Sequence, residues 1–303
     1  MLARHSGGAG HGVLDAGKLR GQWRMISRLA IALLLAVLGA TAPVRADDPA
    51  IPQFWDVKER LIKPDISSFA RVRFLTTTDF PPFNFIDGNG FLSGLHVDLA
   101  RAICSELEIL DRCQIQALPW DELEEALERN EGDALIAGLA ITPEKREEYA
   151  FTRSYMRFPA RFVVGRNSAL EEPVHLGVAG LRVGVLDGSE HETMLRDYFP
   201  AARPVTYSRR DWIYDDLRAG NIDAVFGDGM RLAFWLAGQD SQDCCRFAGG
   251  AYLAPEYFGS GLAIAVRAED AALADAFDYA LRAINMNGTF AELYLRYFPV
   301  GFF

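Results

Sequence analysis

Apolar residues recur at helical spacing in two stretches of the first half of the chain. Leu95, Leu99, Ile103 and Leu107 line one face of a predicted helix over 94–107, and Trp120, Leu123 and Leu127 line a second that stops near Gly132. Shorter apolar runs without that period read as strands: Val72–Thr76, Asp133–Ile141 and RVGVLDGS at 182–189. A further helical segment follows at 192–198, and 270–297 is mostly helical with a break at Asn287–Gly288. Strands alternating with helices point to an α/β layered architecture. The stretch LERNEGDALIAG (127–138) is echoed by LRAGNIDAVFGDG (217–229), the trace expected of two units of similar construction.

The N-terminal pattern is different. Arg28 is followed by the apolar run Leu29–Leu38, then by Ala40, Ala42 and Val44-Arg45-Ala46, the layout of a secretory signal over residues 1–46. Residues 1–24 are Gly-rich and basic and read as a misassigned upstream start, with Met25 the initiator. Residues 47–65 read as an arm or short helix laid on the body. The formal net charge is −10, and removing residues 1–46 makes the remainder more acidic. Nucleic acid and anionic lipid are therefore poor partners.

All four cysteines follow the signal. Cys104 and Cys113 flank a helix end and a short turn and are expected to form a disulfide in an oxidising compartment. For the adjacent Cys244 and Cys245 a vicinal bridge, two free thiols and pairing elsewhere all remain open. There is no Cys-x-x-Cys and the five histidines are scattered, so no metal or other cofactor is expected. His96 reads as an exposed helix-face residue.

The stretch LAITPEKREEYAF (139–151) carries an electrostatic anomaly. Thr142 has the character of a helix N-cap and Pro143 suits the first helical position. Lys145 and Arg146 then sit in a first turn where the helix dipole favours acids.

DFPPFNF, GLHVDLARAI, WDELEEAL, GDALIAGLAITPEKREEYAFT, LRVGVLDGS and GNIDAVFGD occur in the order seen in periplasmic polar-amino-acid-binding proteins of ABC importers, the family 3 solute-binding proteins. The resemblance covers roughly 70–300. It implies an α/β, two-lobed, type II periplasmic-binding-protein fold with lobes joined by two hinge strands. The first lobe would combine 66–158 with 260–303, and the second would span 159–259. It implies a periplasmic monomer that captures a small polar ligand, an amino acid or related zwitterion, and delivers it to an inner-membrane ABC permease. No catalysis is expected.

Carried over by position, the resemblance makes Asp79 a first-lobe acid, with Phe80 and Trp120 as opposite walls of a sandwich around the ligand. Ser189 and Glu190 match the turn that caps the ligand carboxylate, and Asp228 the second-lobe acid that meets its ammonium. Aligned without a gap, the family's carboxylate-binding Arg falls at Lys145, with Arg146 one later; a shift at the helix start would bring Arg146 inward instead. Lys neutralises a carboxylate but cannot fork onto it. Positions that often carry hydroxyls are Ala137, Gly138 and Ala140, leaving Gly138 to offer its backbone N–H. Two other readings compete: a periplasmic enzyme similar to cyclohexadienyl dehydratases, with Glu190 as acid or base, and a ligand-loaded sensor acting on a receptor in trans.

Overall fold

The strand Val72–Thr76 is buried along nearly its whole length, as a strand inside a parallel sheet should be. It sits second in a five-stranded sheet ordered Cys113–Ala117, Val72–Thr76, Ala134–Leu135, Ala265–Arg267, Tyr149–Phe151. The first three strands are parallel, and Ala265–Arg267 runs antiparallel to both its neighbours. A second five-stranded sheet repeats the plan, ordered Arg203–Tyr207, Arg182–Leu186, Ala224–Asp228, Ala160–Gly165, Cys245–Tyr252. Its first three strands are again parallel and Ala160–Gly165 is again antiparallel to both neighbours. This computed structural model describes residues 51–170, 173–298 and 301–303, all within one compact unit, Pro49–Phe303. The secretory signal and start expected over 1–46 lie outside the described residues.

The sequence echo has a physical counterpart. Both copies supply the third strand of their sheet, and both place an Asp just before it as a clasp. Asp133 Oδ2 accepts from the Arg73 backbone N–H at 2.8 Å and from Arg73 Nε at 2.9 Å. Asp223 Oδ2 accepts the same two bonds from Arg182, at 2.8 and 3.1 Å. In each case the Asp backbone N–H returns a bond to the arginine's carbonyl. Each strand end thus has its charge and its backbone groups satisfied together.

The chain crosses between the sheets twice, through 152–159 and 253–264, and the two crossings are bonded to each other. Tyr155 N–H donates to Leu262 O, and Leu262 N–H to Met156 O. The helices Leu95–Glu106, Ala271–Met286 and Thr289–Tyr297 pack together on the first sheet, with the predicted Leu95, Leu99 and Ile103 buried. The predicted break is real: Asn287 ends one helix, and Gly288, at φ 89°, precedes the next. The strand expected over 133–141 contracts to Ala134–Leu135. Ile136 still donates to Leu75 O, but the chain then leaves the sheet and turns at Gly138. Residues 51–70 contain no helix; Trp55 is buried in the first-sheet core, and Glu59 is ion-paired with Arg153. Cys104 and Cys113 are disulfide-bonded, and so are the adjacent Cys244 and Cys245.

His96 corrects the expectation of exposure. It is fully buried, with Nδ1 2.7 Å from Asn84 Oδ1 and Nε2 2.8 Å from the Tyr155 hydroxyl. Asn84 spends its Nδ2–H on Thr77, so its oxygen accepts, Nδ1 carries the imidazole proton, and Nε2 accepts from Tyr155. A polar residue satisfied on both sides can occupy a core position that its polarity argues against. Burial pulls the His96 pKa down to about 3. The unfolded chain therefore binds this proton near 6.5 and the folded chain does not. The stability this neutral histidine contributes is full above 6.5 and falls by up to about 1.4 kcal/mol per pH unit as pH drops toward 3. Asp278, raised by burial to about 6, has the opposite sign, its contribution fading as pH rises through that value. Denaturant unfolding of the parent and His96→Gln at pH 7, 6 and 5 isolates the histidine's share: the parent should lose its advantage as pH falls. Parallel curves would mean that His96 protonates inside the fold.

Candidate functional site

The anomaly at 139–151 resolves into two side chains with different fates. Thr142 caps the helix Pro143–Glu148, its hydroxyl accepting from Lys145 N–H at 3.2 Å, and Pro143 opens the first turn. Neighbouring helical residues diverge by about 100°. Lys145 Nζ turns to the helix Leu123–Glu128, where it is ion-paired with Glu124, and to Glu148 at 3.2 Å. Those carboxylates, Glu124 foremost, raise its pKa. Tyr149 closes the cluster, donating to Glu124 at 3.3 Å or Glu128 at 3.2 Å, and its hydroxyl is pushed well above the usual range, chiefly by burial. Arg146 is exposed, has no carboxylate partner among the described residues, and lies 5.8 Å from the Phe151 ring.

Around the same sheet, Phe80 stacks on Phe83 at 4.7 Å. A Cβ at residue 138 would stand 3.0 Å from Phe80 Cε1, a tight contact, and Gly138 holds φ 90°, a backbone that strongly favours glycine. Asp79 and Trp120 line one hollow of about 360 Å³ with Thr77 and Thr78. Trp120 is 48% exposed and also lines a second, smaller hollow with Ala137 and Leu139. Ala140 is exposed and lines neither hollow.

The second sheet carries its own cavity of about 50 Å³, which brings Ser189 and Asp228 together. Ser189 caps the helix Glu190–Tyr198, its Oγ donating to Leu186 O at 2.6 Å and accepting from Glu192 N–H at 3.2 Å. Asp228 ends its strand and caps the helix Gly229–Ala237, with Oδ1 accepting from Arg231 N–H at 2.7 Å. Glu190 is exposed and outside the cavity lining. Four lining residues with polar side chains were not anticipated: His191, Arg210, Tyr214 and Arg231. His191 stacks on Phe258 at 4.5 Å, and its pKa is lowered mainly by burial, with Asp228 opposing and Arg210 assisting. Tyr214 stacks on Trp235 at 4.6 Å. A signal for the two arginines was present: each stands in the first turn of a helix, the same anomaly as Lys145–Arg146.

The sequence model of bacterial extracellular solute-binding proteins, family 3, matches residues 72–300. The chain belongs to this family. Its fold is the two-lobed α/β architecture of type II periplasmic binding proteins, each sheet forming the centre of one lobe. Similar proteins include ABC transporter arginine-binding protein 1 of Escherichia coli, 30% identical over 233 residues, 77% of this chain and 93% of that one. The histidine-binding periplasmic protein of Salmonella typhimurium is 30% identical over 272 residues, 89% of this chain and 95% of its own length. Among solved structures, the second substrate-binding domain of a putative amino acid ABC transporter from Streptococcus pneumoniae superposes with TM-score 0.63 at 22% identity, covering 75% of this chain and all of that one, a likeness of fold. Among the described residues no helix is long and apolar enough to cross a membrane.

Proposed function

We propose that this family 3 solute-binding protein works in the periplasm as a monomer, closing its lobes on an amino-acid-like zwitterion and delivering it to an ABC permease. The lobes are 66–158 with 260–303, and 159–259, and the two bonded crossings act as the hinge. The observation that carries this reading is a pair of opposite charges placed one per lobe: Arg146, without a carboxylate partner among the described residues, and Asp228, at a cavity mouth with one oxygen not engaged by its cap. Arg146 takes the ligand's carboxylate and Asp228 its ammonium. Phe80 and Trp120 cover its apolar part, and Asp79, Gly138 and Ser189 border the space between them. Lys145 holds the helix from behind through Glu124. The names of the arginine- and histidine-binding relatives agree in ligand class. Exposure of Glu190 outside the cavity gives no support to the dehydratase alternative, and the protein is read as a binder without chemistry.

Calorimetry of the mature protein against the twenty amino acids and their simple metabolites is expected to give saturable binding to at least one zwitterion. Asp228→Asn should weaken that binding by about tenfold or more, since a charge-assisted bond in a closed cleft is worth roughly 1.5–3 kcal/mol. No binding by any member of the set, or an unchanged Asp228→Asn, would remove the proposal.

A further inference from the structure

The second-lobe cavity is more cationic than a site for a simple zwitterion requires. Its floor is apolar, formed by Leu186, Ile213, Phe226 and Leu232. Its rim carries one carboxylate, Asp228, and two guanidiniums on different helices, Arg210 at the start of Arg210–Ala219 and Arg231 in Gly229–Ala237. Neither guanidinium has an ion pair or side-chain hydrogen bond among the described residues, although the chain as a whole has an excess of acids. Elsewhere in this lobe Arg209 pairs with Asp211, Arg182 with Asp223 and Arg196 with Glu192, while Arg161, Arg203 and Arg246 have no ion pair among the described residues; what sets Arg210 and Arg231 apart is that they line the same cavity. Burial keeps His191 from adding or balancing charge near neutrality.

Resting on the zwitterion reading above, we infer that the ligand is an acidic amino acid or close analogue, whose second anionic group enters this cavity between Arg210 and Arg231. The cavity suits that group in size, since about 50 Å³ admits a group of a few atoms. It also suits it in charge. When the lobes close, both guanidiniums lose water, and a cation buried without a counter-ion is strongly unfavourable. A ligand carboxylate supplies the missing charge and can be gripped by two forks. A basic side chain would add a third positive group beside them. The preference is thus opposite in sign to the ligands named for the arginine- and histidine-binding relatives.

The test is calorimetry with L-glutamate, L-aspartate, L-glutamine, L-asparagine, L-arginine and L-histidine on the parent, Arg210→Gln and Arg231→Gln, with thermal melts to confirm folding. An acidic amino acid should bind about tenfold or more tighter than its own amide, and each substitution should pull that ratio toward one. Arginine, histidine or an amide binding as tightly as the acids would overturn this inference and leave the zwitterion reading standing. So would a ratio that neither substitution changes. Failure of every amino acid, including those outside this set, would instead bring down the zwitterion reading and the inference with it.

Discussion

Arg146→Gln lowers affinity for the ligand by about ten- to a hundredfold, while Lys145→Gln leaves it within about threefold of the parent. The two bases are adjacent, yet they do different work. The Lys145 ammonium is held by Glu124 and Glu148 and lies 5.5 Å from the Tyr149 ring, so its charge is already balanced within the protein. Removing it releases partly exposed ion pairs, a loss of about 1 kcal/mol or less in stability. Arg146 lies beside the Phe151 face and has no carboxylate partner among the described residues. Its planar fork is free to take both oxygens of a carboxylate, and Gln cannot replace that charge. Calorimetric titration of both variants with whichever ligand the parent binds checks the split. A larger loss from Lys145→Gln than from Arg146→Gln would reverse the assignment.

Asp133→Ala destabilises the protein by about 3–5 kcal/mol, whereas the equivalent change in the second lobe, Asp223→Ala, costs roughly 1 kcal/mol. The clasps look alike in their bonds but not in their surroundings. Asp133 is 8% exposed and lies between Arg73, 14% exposed, and Arg267, 10% exposed. Deleting it leaves the Arg73 guanidinium with a bond to Glu131 O and no carboxylate among the described residues, while Arg267 keeps Asp270 and, at 3.7 Å, Glu269. Asp223 and Arg182 are 34% and 46% exposed, so water replaces most of what is lost. Urea unfolding of both variants at pH 7 reads the difference directly. Equal losses would show that burial does not control the strength of this device.

The repeated clasp is where sequence and structure agree most closely. The echo between 127–138 and 217–229 is short, yet its Asp-Ala marks the third strand of each sheet and its Asp bonds the start of the neighbouring strand. The helix 94–107, the Thr142 cap, the break at Asn287–Gly288 and the order of strands and helices were likewise legible. These features depend on neighbours within about four residues, or on side-chain periods that any sheet or helix imposes.

Other features could not be read that way. Lys145 is matched by Glu124, from a different helix 21 positions away, and His96 by Asn84 and Tyr155, 12 and 59 away. Arg210 and Arg231 meet at one cavity only because two helices start at the same end of one sheet. A residue's charge says that it needs a partner or water but not which, and in a folded chain that choice follows from proximity through space. By itself the sequence determined the family and two units of similar construction, and it offered Asp79, Phe80, Trp120 and Asp228 as candidate positions. Only the tertiary structure decided that Lys145 is paired with Glu124 while Arg146 has no carboxylate partner among the described residues, that His96 is core, and that Arg210 and Arg231, neither ion-paired among the described residues, line one cavity. Each of those outcomes turns on desolvation and pairing, which come into being when distant segments are brought into contact.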